Sequence, residues 1–288
     1  MTLRYAYDLA VAYRIYPSVS RPALGLPFSD DKYRLSETCL HSFKESLGSL
    51  RVKVWAILDG CPPEYGELFR NYFADADLEL VPCDALGNRA TFARQVDILL
   101  AQEDAPLVYF AEDDYFYLPN KFCLMVDFLK AHTDVDFISP FDHLDCYTTD
   151  LHHAPKWIRP YGDCHWRTAA STCLTFLTKK EVLAKCESMF RSYARGNSDC
   201  AIWLSLTKQR VLNPVALARY FARGEFYWKV LVKSWLHCPW QILFGDRFKL
   251  WVPIPGIATH LDRNALSPVV DWIELMKAEP ITRGWVKH

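Results

Sequence analysis

The sequence lacks the features that mark several classes of protein. Its longest uncharged runs, 234–245 and 250–261, hold 12 residues each and contain proline, so neither suits the roughly 30 Å of a bilayer core. It has no excess of charge of one sign, with 33 Lys and Arg against 34 Asp and Glu and a net charge of -1. We therefore expect no transmembrane helix and no nucleic-acid partner.

Close cysteine pairs are also absent. The chain has ten cysteines, but the nearest neighbours, Cys164 and Cys173, are nine positions apart, which excludes CxxC metal or redox motifs. Arg4 and Asp8 carry charge where a secretory signal needs an apolar stretch. These observations predict a cytoplasmic protein with reduced, mostly buried thiols.

What is present is the composition and rhythm of an α/β protein. Of the 288 residues, 51% are hydrophobic and 23% charged, which suits one large folded unit. Apolar, β-rich runs start 26 to 29 residues apart from residue 52 onward, with helical periodicity between them. This spacing predicts a doubly wound, mostly parallel sheet with helices on both faces and a ligand beyond the carboxyl ends of the strands. The predicted strands are 3–13, 52–58, 78–81, 107–111 and 135–139, and the predicted helices are 35–47, 64–73, 90–101 and 120–131.

After residue 142 the rhythm changes. A loop at 145–167 rich in Cys, His and Tyr precedes a predicted strand at 169–177 and a helix at 179–193. We divide the chain into a core, 1–207, and a C-terminal extension, 208–288, that packs on the core.

Three consecutive carboxylates, Glu112, Asp113 and Asp114, follow the strand 107–111. Neighbouring like charges raise one another's pKa unless a cation neutralises them, and oxygen ligands suit Mg²⁺ or Mn²⁺. The pattern predicts a divalent cation here, with a solvated acidic turn as the alternative.

Two other strand ends should face the same crevice. Asp59 precedes Gly60 at the end of the second strand, although Asp-Gly is also ordinary turn chemistry. Tyr13 and Arg14 close the first strand and suit a wall for a base and a diphosphate. The alternative for Arg14 is an ion pair with a surface acid.

The order of these signals resembles that of glycosyltransferases of the GT-A fold, closest in layout to the large inverting family 2. Residues 12–17 resemble the nucleotide-gripping first loop of that family, and Asp59 resembles its base-contacting Asp. Arg89 lies in a segment, 87–90, that resembles the Asn-and-Arg segment before the metal motif. The carboxylates at 112–114 resemble a DxD-type motif spelled Glu-Asp-Asp. The resemblance covers roughly residues 3–262. Both the Glu in the first motif position and the Arg-Ile-Tyr-Pro of the first loop depart from the usual family pattern and leave the base and sugar open.

The resemblance implies roles for five side chains. Asp114 would ligate the metal directly, while Glu112 and Asp113 would face the donor sugar and ribose. Asp199, near the start of a helix, would be the catalytic base, with an ordinary helix cap as the alternative. His260 would return as a further metal ligand, with a structural histidine as the alternative. Apart from the resemblance, the bidentate binding of phosphate oxygens by arginine indicates that Arg89, and less so Arg94, would support the leaving group, with solvated helix charges as the alternative.

These expectations define a metal-dependent, inverting glycosyltransferase with Mn²⁺ or Mg²⁺ as cofactor. It would move a sugar from a nucleotide-diphospho donor to a surface-polysaccharide or glycolipid acceptor. One alternative is a nucleotidyltransferase, which the lack of a Gly-rich stretch at 14–27 disfavours. The other is a non-catalytic, membrane-associated protein that binds sugar nucleotides or glycans.

The extension is locally basic. Residues 208–249 carry eight Lys and Arg against two acids, a balance of +6. If 219–236 is helical, Arg219, Arg223, Lys229 and Lys233 share an arc of about 120° partly opposite the aromatics. This predicts an anionic membrane surface as partner, with peripheral attachment to its inner face. The alternative is that the aromatics pack on the sheet or cover the acceptor cleft.

Overall fold

A nine-stranded sheet runs through the centre of the protein. The structure is a computed structural model and describes residues 5–152, 155–222 and 226–278. Within these residues the strands lie in the order β3-β2-β1-β4-β9-β6-β10-β8-β7, and β5 and β11 form a separate two-stranded sheet. The strands are β1 (Leu9–Ile15), β2 (Val52–Asp59), β3 (Leu78–Cys83), β4 (Leu107–Glu112), β5 (Tyr115–Tyr117), β6 (Phe137–Ile138), β7 (Ile158–Tyr161), β8 (Cys164–Ala169), β9 (Phe176–Lys179), β10 (Leu250–Ile254) and β11 (Ala258–His260).

The sheet is mostly parallel, as the strand spacing predicts. β3, β2, β1 and β4 are parallel neighbours. β9 pairs antiparallel to both β4 and β6, and β8 pairs antiparallel to both β10 and β7. Only β9 and β8 therefore oppose the common direction of the large sheet in the part of the chain that is described.

Helices cover both faces because the inner strands are apolar on both sides. In β1, Leu9, Val11 and Tyr13 belong to a core shared with α1, α2 and α4, whereas Ala10 and Ala12 belong to a core shared with α3, α6 and α7. This explains the near-continuous apolar runs of the sequence. The helices are α1 (Lys32–Leu47), α2 (Glu64–Tyr72), α3 (Asn88–Ala101), α4 (Phe122–Ala131), α5 (Asp145–Thr148), α6 (Lys180–Arg191), α7 (Asp199–Thr207), α8 (Pro214–Ala222), α9 (Tyr227–His237), α10 (Pro239–Phe244) and α11 (Trp272–Ala278).

Two predicted strands differ from those observed. The predicted strand 169–177 is wrong, because β8 ends at Ala169 and β9 begins at Phe176. Since β10 and β6 lie between β8 and β9 in the sheet, residues 170–175 must cross to a new position and cannot continue a strand. The first strand was predicted at 3–13 but spans Leu9–Ile15, and residues 1–4 lie outside the described part.

The C-terminal part contributes to the sheet as well as to its surroundings. β10 lies between β6 and β8, and β11 pairs with β5 next to the end of β4. The division at residue 207 stays a prediction. The single helix considered for 219–236 is replaced by α8 and α9, and Arg223 lies outside the described residues. Among the helices described, none has the length and apolar character needed to cross a membrane.

Candidate functional site

The carboxyl ends of β1 and β4 bring Arg14 and Glu112 together. These residues are Cα partners in the parallel register, and the guanidinium of Arg14 forms a salt bridge with Glu112. The second oxygen of Glu112 accepts a hydrogen bond from the Thr175 hydroxyl at 2.6 Å. Arg14 also donates to the backbone carbonyl of Asn88, the first residue of α3, at 2.8 Å. Arg14 therefore pairs with a motif carboxylate rather than with a surface acid.

Asp113 is neutralised from the other side of the crevice. Its carboxylate accepts from the Lys32 ammonium at 2.5 Å and from the backbone N–H of Tyr16 at 3.2 Å. Burial raises the pKa of Asp113, and this outweighs the lowering by Lys32. Burial alone would lower the pKa of Lys32, but Asp113 beside it raises that pKa overall.

Asp114 meets His260 across the small sheet. β11 pairs with β5 so that His260 is opposite Tyr115, and the backbone N–H of Leu261 donates to the Asp114 carbonyl at 2.8 Å. This pairing places the His260 Nε2 atom 3.2 Å from Asp114 Oδ2. Although burial disfavours the imidazolium, Asp114 raises the pKa of His260 to about 9. The other oxygen, Asp114 Oδ1, is buried and has no hydrogen-bond partner among the described residues.

These pairings revise the argument for a metal at the motif. The sequence argument held that three crowded carboxylates need a metal ion, yet Arg14, Lys32 and His260 each pair with one of them. Among the residues that the structure describes, no three His, Cys, Asp or Glu side chains are grouped to hold a metal. Of the motif carboxylates, only Asp114 has a free, buried oxygen, Oδ1, and it lies beside His260. Asp114 and His260 would then be two protein ligands of a cation whose other ligands come from substrate and water.

Asp59 ends β2 and lies against the loop before α3. It is 3% exposed, and its two oxygens accept from the backbone N–H groups of Leu86 at 2.5 Å and Gly87 at 2.8 Å. Gly87 has φ 84°, and a Cβ there would meet nothing within 4 Å. Asp59 thus holds the Gly87 turn in place while also lining the crevice.

A cavity of about 390 Å³ lies between these strand ends. Its volume falls in the range of small-molecule sites. Five segments of the chain surround it, namely 14–23, 32–35, 59, 87–91 and 112–114. The structure thereby brings together Arg14, Asp59 and the three motif carboxylates, as the sequence predicts.

Asp199 is the first residue of α7. The helix cap is Ser198, whose hydroxyl accepts from the Ala201 N–H at 3.4 Å, while Asp199 Oδ1 accepts from the Cys200 N–H at 2.7 Å. Burial raises the pKa of Asp199, Glu112 raises it further, and His143 and His260 lower it. Asp199 is therefore not the cap, and its carboxylate lies within the electrostatic reach of the motif and of His260.

Three predicted contacts lie elsewhere. Tyr13 is fully buried between Phe43 and Phe69 and is not part of the cavity wall, because its place in β1 points into the core. This corrects the expectation that its ring forms a wall for the base. Arg89 is exposed on α3 and does not line the cavity, and Arg94 lies beside Trp55 and Glu79 in another surface depression.

Sequence reasoning missed Lys32 and His143. Lys32 is the first residue of α1, after the N-cap Asp31, and the first turn contains no acid. A cation at a helix N-terminus opposes the helix dipole, so its position was a detectable signal of a partner elsewhere. His143 follows β6 and packs its ring against Phe141 at 4.9 Å. Burial lowers its pKa despite nearby Asp145, and the sequence around it gives no comparable signal.

Fold and site together define an α/β protein with an acidic, cation-lined crevice at the carboxyl ends of its parallel strands. No protein-family model matches the sequence, and no curated protein matches it. The solved structures to which it is similar include glycosyltransferases.

The chain is similar to glycosyltransferase GlyE of Streptococcus pneumoniae TIGR4 at 14% identity and a TM-score of 0.43, over 94% of this chain and 60% of that one. It is similar to S. aureus TarS 1-349 in complex with UDP at 13% identity and a TM-score of 0.41, over 69% of this chain and 54% of that one. It is similar to a cytidylyltransferase from Leptospira borgpetersenii at 12% identity and a TM-score of 0.36, over 64% of this chain and 65% of that one. The match spans less than two thirds of each of these proteins. At such TM-scores the likeness carries no argument about activity, which has to come from the site itself.

Proposed function

We propose that the protein is a metal-dependent, inverting glycosyltransferase that uses a nucleotide-diphospho sugar. Its acceptor would be a hydroxyl of a surface polysaccharide or a glycolipid. The observation that carries the proposal is the convergence of Arg14, Lys32 and Asp114 on one cavity, with the carboxylate of Asp199 nearby.

The cavity suits a donor with two phosphates. Arg14 and Lys32 reach it from β1 and α1, on two sides, and each is held by a carboxylate of the motif. A guanidinium and an ammonium fixed in this way attract phosphate oxygens without first losing side-chain freedom. The Gly87 turn before α3 adds a close backbone approach, since no side chain fills the space beside it.

Asp114 and His260 would hold the divalent cation, with the His260 imidazolium losing its proton as the ion binds. In the part of the chain that the structure describes, the buried Asp114 Oδ1 lacks a hydrogen-bond partner, and an ion would supply one. When bound, Mn²⁺ or Mg²⁺ would neutralise the charge that develops on the leaving nucleoside diphosphate. Glu112 and Asp113 then orient Arg14 and Lys32 rather than bind the ion themselves.

Asp199 would serve the acceptor. Inversion needs one carboxylate to take the proton of the acceptor hydroxyl as its oxygen attacks the anomeric carbon. Oδ1 of Asp199 is already held by the Cys200 N–H, which leaves Oδ2 to accept that proton. The burial that raises its pKa also makes the carboxylate a stronger base than an exposed aspartate.

Nucleotide binding and transfer can be tested together. Nucleoside diphosphates and triphosphates are screened by thermal shift with and without Mn²⁺, because a ligand that binds only the folded state raises the melting temperature. We expect a diphosphate and Mn²⁺ to act synergistically, and a matching sugar nucleotide to release its diphosphate on addition of a glycan acceptor. Silence of every nucleotide would contradict the proposal and favour a glycan-binding protein. Pyrophosphate release from a triphosphate would favour a nucleotidyltransferase. If the diphosphate bound equally well without Mn²⁺, the metal dependence would be wrong and the rest of the proposal would stand.

A further inference from the structure

The outer side of α9 and α10 exposes large apolar side chains. Leu236, Trp240 and Phe244 are 72%, 75% and 74% exposed, and Val232 and Leu243 are also exposed. The rings of Trp240 and Phe244 stack at 5.6 Å between centroids. We call these five residues the aromatic face. Exposed apolar groups of this size and number in adjacent helices indicate a contact surface.

The aromatic face is held at a fixed position by the opposite sides of the same helices. Val230, Leu231 and Ile242 are buried in one cluster with residues of α7, and the hydroxyl of Ser234 donates to the Ala201 carbonyl at 3.1 Å. A helix that buries one side in this way presents its other side to solvent. The alternative considered for the aromatics, packing on the sheet, is correct for Trp251, which is fully buried in β10, but not for the aromatic face.

Cations border the aromatic face, and acids are absent from its helices. α9 and α10 contain Lys229 and Lys233 but no Asp or Glu. In the described parts of the chain neither lysine forms an ion pair: Lys229 lies over the Trp228 ring, and Lys233 donates to the Gly196 carbonyl at 3.1 Å. Burial lowers the pKa of His237, and the positive charges of Arg195 and Lys233 lower it further. Arg195 is also exposed, so the local potential is positive.

We propose that the aromatic face docks on an anionic lipid bilayer. The charge complementarity commits it to that partner, because lysines with no carboxylate partner in the described residues flank apolar rings that would insert at the headgroup level. Docking would bring the bilayer next to α7, since Lys233 bonds to Gly196, three residues before Asp199. The inference does not depend on the reaction proposed above.

Vesicle co-sedimentation of the full chain tests this inference. The vesicles contain phosphatidylcholine alone or equal parts of phosphatidylcholine and phosphatidylglycerol. We expect binding to the mixed vesicles that weakens with salt, and much weaker binding to phosphatidylcholine. Trp240→Ser with Phe244→Ser should lower the partition coefficient at least about tenfold, as should Lys229→Glu with Lys233→Glu.

Matched controls separate the face from general stickiness. Trp157 is an exposed tryptophan next to the edge strand β7, so Trp157→Ser should leave binding unchanged. Lys44 and Lys130 are exposed on α1 and α4, over the other sheet face. Lys44→Glu with Lys130→Glu should therefore lower vesicle binding less than Lys229→Glu with Lys233→Glu. Circular dichroism confirms that each variant is folded.

The proposal is overturned if mixed vesicles do not bind, or if target and control variants bind alike. A dimer that the Trp240 and Phe244 changes convert to a monomer, without vesicle binding, would assign the face to a second copy instead.

Discussion

The crevice and the aromatic face treat charge and apolar surface in opposite ways. In the crevice every motif carboxylate has a cationic partner within the chain, and the charges lie in a cavity. On the aromatic face the lysines have no carboxylate partner in the described residues, and the rings are open to solvent. The crevice is thus organised by the fold itself, whereas the aromatic face remains to be satisfied by something outside the chain. Changes in the crevice should alter chemistry and binding, and changes on the face should leave the folded state almost untouched.

Replacing the proposed base should have the largest effect. Asp199→Asn keeps the shape of the side chain but removes the group that accepts the proton, so we expect kcat to fall at least about a hundredfold. Donor binding should be retained, because Asp199 does not line the cavity proposed for the donor. Steady-state transfer assays and diphosphate titrations of the same preparation measure the two quantities.

The control for this change is Glu64→Gln. Glu64 is also a carboxylate at the first position of a helix, α2, and it is exposed. Loss of a helix-start charge alone should therefore affect both variants equally. If Asp199→Asn turned over at the rate of the unaltered protein, the assignment of the base would be wrong.

Lys32→Met should mainly weaken binding of the diphosphate. The change removes a cation from the cavity wall. It also leaves the Asp113 carboxylate without the ammonium that binds it at 2.5 Å, so that this carboxylate would repel the bound diphosphate. We expect the diphosphate Kd to rise about tenfold or more, the scale of one charged hydrogen bond. Lys44→Met on the exposed side of α1 is the matched control and should leave Kd unchanged. Isothermal titration calorimetry gives both values, and an equal Kd for both variants would exclude Lys32 from donor binding.

The fold was predictable where local pattern and topology agree. Between residues 52 and 112 the strands coincide with short, largely apolar runs and the intervening helices are periodic, so their predicted positions lie within two residues of those observed. Prediction failed at residues 170–175, where an apolar run continues but the chain crosses to another place in the sheet. Local sequence cannot encode such a crossing, because it depends on β6 and β10 occupying the positions between.

The site was predictable where strand ends supply it. Asp59 and Glu112 are the last residues of β2 and β4, and Asp114 follows β4 closely, so topology alone carries all three to one edge. Lys32 arrives from a helix start, and Tyr13 is turned into the core by the alternation of β1. Which side chain at a strand end faces the crevice depends on the alternation of side chains along the strand. A continuous run of apolar residues does not reveal that alternation.

The pH dependence of kcat/KM should show an apparent pKa shifted upward from that of a free aspartate. Burial raises the pKa of Asp199, with Glu112 adding to this and His143 and His260 opposing it. Because only the ionised carboxylate accepts a proton, kcat/KM should rise with pH through an apparent pKa above the 3.8 of a free aspartate. Below that pKa the rate should fall about tenfold per pH unit. An acidic limb that persists in Asp199→Asn would assign it to another group.

The smallest effect should come from the aromatic face, and its contrast with the core is the sharpest check of the comparison. Trp240→Ala removes a ring that is already in water, so the free energy of unfolding should change by about 0.5 kcal/mol or less. Trp203→Ala in α7 removes a fully buried ring that packs on Phe137 and Phe176 and donates to the Cys173 carbonyl at 3.1 Å, which should cost about 3–5 kcal/mol. Urea unfolding of both variants measures the difference. A loss of several kcal/mol in Trp240→Ala would mean that its ring is covered by the chain itself, and the face would then have no surface to offer a bilayer.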